Sequence, residues 1–287
     1  MHSESEVFRN SGLSRIASLV TVRDIYTPFV ASFEANRDAD AVLEEWGVDL
    51  CGEVSPLDQM ALVLQSGKPA GILTYDALVE SGGLVSACMD EIRLDTLITE
   101  DTSLTRAAEM FAKSDAYFFV VINGNDMVGW LSYHDLYKLP FRLCLFAELL
   151  AVEVKMLLVA QHDAKCAFEK LPEGRRNAAS RLYQLRGLAK DAGGDEALPS
   201  LLTCTSFIDK ATMLQRCTKT GRCIPAAGEK KWMLLAEKVR NALAHPNPAE
   251  HFFMLVKREK FGGFIIWLGR LDAELTAFLA TRPSKLD

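Results

Sequence analysis

The sequence predicts an α+β protein of two domains, a β-α-β-β-α portion followed by an all-helical bundle. Three observations predict it. Short β-rich runs alternate with amphipathic helical stretches over residues 18–136, and strand signals vanish from Tyr137 onward. Charge switches at the same place: up to Leu136 there are 8 Lys and Arg against 22 Asp and Glu, and from Tyr137 there are 24 against 16. A net charge of −6 thus conceals halves of −14 and +8, and the basic half suits a polyanion. The same asymmetry also suits two fused domains of different history, or halves that attract each other. Finally, 287 residues with 49% hydrophobic content are comfortable for two cores and exclude a largely disordered chain.

Residues 1–17 read as a tail. Within residues 18–137 the clearest unit begins at Val85-Ser86-Ala87-Cys88-Met89 and continues to a strand at Thr96-Leu97-Ile98. Asp101-Thr102-Ser103-Leu104 starts a helix in which Leu104, Ala107, Ala108 and Phe111 recur at core-facing spacing. Tyr117 to Ile122 reads as a very apolar strand and Met127 to Leu131 as its partner, joined through Asn123-Gly124-Asn125-Asp126. Asn-Gly between such runs signals a hairpin, because both residues tolerate positive φ. Ser132-Tyr133-His134-Asp135 then opens a helix, with Ser132 as a cap and Asp135 at the positive end. His134 reads as a surface or packing residue. The stretch from Asp49 to Gln65, by contrast, offers no apolar strand.

The β-α-β-β-α order and Gly129-Trp130-Leu131-Ser132-Tyr133-His134-Asp135-Leu136 resemble a CBS domain and its terminal signature. Thr21-Val22-Arg23-Asp24-Ile25 and Gly71-Ile72-Leu73-Thr74-Tyr75-Asp76 resemble the two ends of a degenerate first copy. CBS domains work in tandem pairs, and many pairs bind adenosine-containing ligands in the cleft between them. The resemblance implies that Ser132 and Asp135 hold the ribose hydroxyls of a regulatory adenine nucleotide, with Thr74 and Asp76 as the first copy's counterparts. Thr74 and Asp76 are separated by one residue rather than two, so one functional pocket is expected. A plain helix-capping role for Ser132 and Asp135 is compatible with that reading.

In residues 138–287 five helical stretches can be drawn: Pro140 to His162, Arg176 to Lys190, Phe207 to Arg216, Gly228 to His245, and Phe252 to Ala280. Asp191–Asp195 and Lys219-Thr220-Gly221 are breakers, and Gly262-Gly263 predicts a kink. Leu139 to Ala160 is long enough to span a bilayer, but Arg142, Glu148, Glu153 and Lys155 inside it predict a buried bundle helix instead. Seven scattered cysteines and no signal peptide predict a reducing cytoplasm. Cys204, Cys217 and Cys223 lack a CxxC pair or a nearby His, so no metal site is predicted.

Trp232, Leu235, Val239 and Leu243 form an apolar stripe in the fourth helix, flanked by Arg240 and Asn241. Arg240-Asn241-Ala242-Leu243-Ala244-His245 places a permanent cation and an imidazole within about 140° and about 7.5 Å along a helix. Pro246 ends that helix, and the macrodipole favours protonated His245. An Arg and a His capping a surface helix would look the same. This late-helix motif in an all-helical domain resembles the HEPN family, many of whose members are metal-independent, dimeric ribonucleases.

The resemblance implies attack by a ribose 2′-hydroxyl on the adjacent phosphorus, with no cofactor required. His245 would pass protons, Arg240 would stabilise phosphoryl charge and Asn241 would orient His245 or the phosphate, with Glu148 as a supporting acid. The expected partners are RNA, an adenine nucleotide and a second copy of the chain, with no DNA and no membrane. Leu143, Phe146, Leu149 and Leu150 suit a dimer contact or a core. Two further readings stand beside the nucleotide-gated ribonuclease: a non-catalytic sensor that engages a protein or RNA, and a toxin or antiviral effector.

Overall fold

The computed structural model describes residues 19–49, 60–114, 116–187, 197–217, 223–244 and 258–281, excepting the side chains of 47–49 and 258–259. It divides into two compact units. One holds Thr21–Ala107 and Ser114–Lys138; the other holds Ala108–Lys113 and the helices from Leu139 onward.

The first unit contains two four-stranded sheets. Its strands are β1 (Thr27–Pro28), β2 (Ser32–Glu34), β3 (Met60–Gln65), β4 (Lys68–Thr74), β5 (Asp90–Glu91), β6 (Leu97–Thr99), β7 (Phe118–Asn123) and β8 (Asp126–Ser132). Helices α1 (Ala39–Asp49), α2 (Tyr75–Ser81), α3 (Val85–Cys88) and α4 (Leu104–Lys113) connect them, and α4 runs from this unit into the other. The sheets are ordered β2-β3-β4-β5 and β1-β8-β7-β6. β3 and β7 each pair parallel with one neighbour across a helical crossover and antiparallel with their hairpin partner, while β4 and β8 are antiparallel to both neighbours.

The two sheets repeat each other residue for residue. Met60 faces Thr74 as Phe118 faces Ser132, Val63 faces Gly71 as Val121 faces Gly129, and each hairpin shifts register just after that pair. Even the edge contacts match: Val22 N–H donates to the Thr102 carbonyl and Val85 N–H to that of Arg37, both at 2.9 Å. The edge strands are exchanged. β1 precedes the first repeat yet pairs with β8, while β5 precedes the second and pairs with β4. Where each edge strand crosses, only glycine fits. A Cβ on Gly129 would stand 2.3 Å from the Thr27 carbonyl oxygen, and one on Gly71 would stand 2.9 Å from that of Asp90.

The expected absence of a strand between Asp49 and Gln65 needs correction. Residues 60–65 are a strand, Met-Ala-Leu-Val-Leu-Gln, with Ala61 and Val63 buried against Phe33, Val42, Trp46 and Leu78. The alternation of buried and half-buried residues makes it a sheet centre, and Ser66-Gly67, both at positive φ, turn the chain into β4. The second hairpin turns at Gly124-Asn125, inside the expected Asn123–Asp126 turn, with Gly124 at φ +60°. Val85–Cys88, where the second unit of sequence begins, is a helical turn, and the turn after Ser132 is a short 3-10 helix. Leu104, Ala107, Ala108 and Phe111 are buried as their spacing predicted.

The second unit is helical: α5 (Leu139–Gln161), α6 (Ala164–Glu169), α7 (Glu173–Leu185), α8 (Leu198–Leu202), α9 (Phe207–Arg216), α10 (Lys230–Ala244) and α11 (Arg258–Ala280). α5 is the hub and packs on α9, α10 and α11. Its Leu149, Val152 and Met156 are buried, while Leu143 is 54% exposed and Phe146 and Leu150 are half-buried. Among the described residues no helix is long and apolar enough to cross a membrane. Gly262 and Gly263 do not interrupt α11. A Cβ on Gly262 would lie 3.2 Å from the Ala112 backbone, and one on Gly263 would lie 2.9 Å from the Trp232 ring, so close packing explains both. The buried face of α10 is Met233, Ala236, Val239 and Ala242, with Trp232, Leu235 and Leu243 only half-buried. That face is rotated from the predicted stripe, which shared only Val239 with it.

Candidate functional site

Two constellations carry chemistry, one in each unit. In the first, β8 ends at Ser132 and the chain turns at once into a 3-10 helix. The Asp135 backbone N–H donates to Ser132 Oγ at 3.3 Å, while Asp135 Oδ2 accepts from the Ser132 backbone N–H at 2.6 Å and its hydroxyl at 2.9 Å. This reciprocal cap satisfies donors that a helix start otherwise leaves open. Asp135 Oδ1 meets Lys138 Nζ at 2.7 Å and the Thr27 hydroxyl at 3.4 Å. Lys138 also donates to the Ile25 carbonyl at 2.6 Å. The carboxylate is 6% exposed and Lys138 is 46% exposed, so the buried acid is held by Ser132 and Thr27 from within and by a half-exposed cation from the solvent side. His134 is exposed beside the rings of Tyr133 and Tyr137.

The matching register locates the first repeat's counterparts. Thr74 takes the place of Ser132 and caps α2 through the Ala77 N–H at 3.3 Å. The residue at the Asp135 position is therefore Ala77. Asp76 takes the place of His134 and is exposed. The repeat preserves the cap and lacks the acid.

The second constellation lines a cavity of about 410 Å³ among α5, α7, α9 and α10. Arg240 and Asn241 lie on its wall, with Arg240 Nη1 donating to Asn241 Oδ1 at 3.0 Å. Glu153 faces them from α5. Its Oε2 lies 3.2 Å from Arg240 Nη2, and its Oε1 accepts from Lys210 Nζ at 3.0 Å. Lys210 is almost wholly buried and donates also to the Thr205 carbonyl at 2.6 Å. The Glu153–Arg240 pair is close but poorly aligned: neither Glu153 Oε2 nor Arg240 Nε has a hydrogen-bonding partner. Across the cavity, Arg175 grips Asp209 through Nε and Nη2, both at 2.7 Å, and reaches the Ser206 hydroxyl at 2.9 Å. Burial alone would raise the Asp209 carboxyl, but bonds from Arg175 and Ser206 outweigh it and hold the acid below the ordinary carboxylate range.

This wall differs from a plain cationic cleft. Arg175, Arg186 and Arg240 line it beside Glu153, Asp209 and Glu237, so its formal charges balance. Arg186 reaches only Cys204 Sγ, at 4.0 Å, and has no carboxylate partner among the described residues. The expected supporting acid, Glu148, is half-buried on α5 and does not line the cavity; the acid beside Arg240 is Glu153. Glu153 had been visible in the sequence only as a charge that argued against a membrane span. Pairing of helices separated by some ninety residues gives it its role, and no local signal announces that. His245 lies outside the described residues.

Residues 96–141 match the family model for the CBS domain. No curated relative matches the sequence. Among solved structures, the CBS domain of a CBS-domain-containing membrane protein from Sphaerobacter thermophilus is 20% identical, covers 47% of this chain and 96% of its own, and superposes with a TM-score of 0.35. CBSX2 in complex with AMP is 17% identical over 41% of this chain and 92% of its own, with a TM-score of 0.32. The CBS domain of a bacterial CNNM/CorC family Mg2+ transporter in complex with ATP is 13% identical over 46% and 94%, with a TM-score of 0.34.

Proposed function

We propose that this chain is a nucleotide-responsive regulator, whose two sheets form a tandem CBS pair and whose Asp135 holds the ribose of one adenine nucleotide. The observation that carries this reading is the buried Asp135 carboxylate at the end of β8, within the region that matches the CBS family. A ribose diol offers two hydroxyl donors to a buried carboxylate, and the half-exposed Lys138 is the partner it would displace. The first repeat carries Ala77 at that position and supports a single site per chain. Calorimetric titration with AMP and ATP tests this. One equivalent should bind, and Asp135→Ala should weaken binding at least about tenfold, the loss of a charge-assisted hydrogen bond. Absence of heat with every adenine nucleotide sinks the proposal.

A second reading makes the helical unit a HEPN-like, metal-independent ribonuclease that a bound nucleotide opens or closes, with two copies completing one groove. Arg240 and Asn241 facing one cavity, beside Arg186, favour it. Arg240 would steady phosphoryl charge and His245 would move protons. Incubation with a mixed RNA pool and a chelator should leave 2′,3′-cyclic phosphate and 5′-hydroxyl ends, and Arg240→Ala and His245→Ala should abolish them. Intact RNA with and without nucleotide leaves the non-catalytic regulator, with the helical unit engaging a protein or RNA partner.

A further inference from the structure

A second cluster lies elsewhere in the helical unit, on the loop between α5 and α6 and at the end of α9. Asp163 caps α6, its Oδ1 accepting the Cys166 N–H at 3.4 Å. Cys217 terminates α9, its N–H donating to the Met213 carbonyl at 3.0 Å. The two sulfurs are 3.7 Å apart, and the donor atoms of Asp163, Cys166 and Cys217 all lie within 4.8 Å of one another. Nearby, Arg216 donates to the Lys170 carbonyl at 3.0 Å, so the ends of α6 and α9 are already tied together.

The sulfur separation is informative. A disulfide needs about 2.05 Å. Two thiolates on a tetrahedral zinc, each about 2.3 Å from the metal, stand about 3.8 Å apart. The observed 3.7 Å excludes a disulfide and fits two corners of a zinc tetrahedron as well as it fits two thiols in contact. Asp163 and Cys166 bracket one helix start three residues apart, so a single turn of backbone presents two donors. Cys217 supplies the third from a different helix and is buried. Two soft donors select zinc over magnesium or calcium. We propose that Asp163, Cys166 and Cys217 bind one zinc ion that clamps α6 to α9, with a water as fourth ligand.

The sequence pattern hid this site, because the donors form no CxxC pair and Asp163 is not a customary zinc-motif residue. Cys204 and Cys223, the cysteines flanking Cys217 in the sequence, do not belong to the cluster.

Full-length protein purified under reducing conditions, loaded with Zn2+ and desalted, should retain about one equivalent. Cys166→Ser and Cys217→Ser should each lose it, and Asp163→Asn should weaken retention at least tenfold. Circular dichroism of each variant reports whether it folds. Co2+ added to the metal-free wild type should give tetrahedral d–d bands and thiolate-to-cobalt charge-transfer bands, a readout that needs no variant. Cobalt spectra without thiolate bands, zinc retained equally by a folded Cys166→Ser/Cys217→Ser protein, or a Cys166–Cys217 disulfide in the reduced preparation would each overturn the proposal. None of these results depends on nucleotide or RNA.

Discussion

Replacing Lys210 with Met probes the polar heart of the helical unit. Methionine keeps most of the aliphatic stem and removes a cation whose side chain is 4% exposed. Two bonds go with it, to Glu153 Oε1 at 3.0 Å and to the Thr205 carbonyl at 2.6 Å. Breaking a buried ion pair from one side costs about 3–5 kcal/mol, because the remaining charge stays buried. Glu153 keeps Arg240 at 3.2 Å, and removing Lys210 also relieves its own desolvation, so the lower end applies. We expect a loss of about 3 kcal/mol, and a midpoint lowered by about 6–12 °C. Chemical unfolding of the full chain, followed by far-ultraviolet circular dichroism, measures it. Adding Glu153→Leu to Lys210→Met should recover much of the loss, since a fully apolar replacement of a buried pair is often neutral. A Lys210→Met protein within about 0.5 kcal/mol of wild type, the usual range for surface changes, would refute the burial argument.

Asp209→Asn should destabilise the chain by about 1–2 kcal/mol, discounted because its partner Arg175 is 47% exposed. Because the folded Asp209 carboxyl is depressed, its contribution is fully present above the unfolded value of about 4 and is lost as pH falls through the lower folded value. The stability gap between wild type and variant should therefore hold from pH 7 to about 5 and close below about 4; a gap that widens in acid contradicts this. Gly129→Ala should destabilise by about 2–3 kcal/mol, and more than Gly71→Ala, because its closest obstacle is a carbonyl oxygen while that of Gly71 is flexible Met89. Equal unfolding midpoints for the two variants would count against the strand-crossing account. Asp76→Ala should leave nucleotide affinity within about twofold, whereas Asp135→Ala loses at least about tenfold; titration of both variants distinguishes one site from two.

Much of the second repeat was legible because its signals are local. A very apolar strand, a glycine turn and a Ser-x-x-Asp start lie within twenty residues, and the periodicity of α4 is clean. The first repeat was obscured by chemistry at two points. Residues 60–65 are a central strand between β2 and β4, an apolar run closed by Ser66-Gly67, but the stretch of residues 49–59 before it carries no strand period. Asp76 looked like a counterpart of Asp135 because both are acids close behind a hydroxyl residue. Only the pairing of Met60 with Thr74 and Phe118 with Ser132 shows that Ala77 holds the place. In the helical half, long elements were readable from their apolar content, while α6 and α8 are too short to develop a period. Arg240 and Asn241 could be named in advance, but the choice between Glu148 and Glu153 depends on how α5 and α10 pack.

The exchanged edge strands have a consequence for biosynthesis. Thr27 finds its pairing partner at Trp130, about a hundred residues downstream, so among the described strands the first to leave the ribosome must wait for the last. Such distant closure slows folding relative to local pairing. Neither half of the sheet-bearing unit can be excised without taking a piece of the other, so truncation after β4 or before β5 should yield aggregating fragments rather than a smaller stable module.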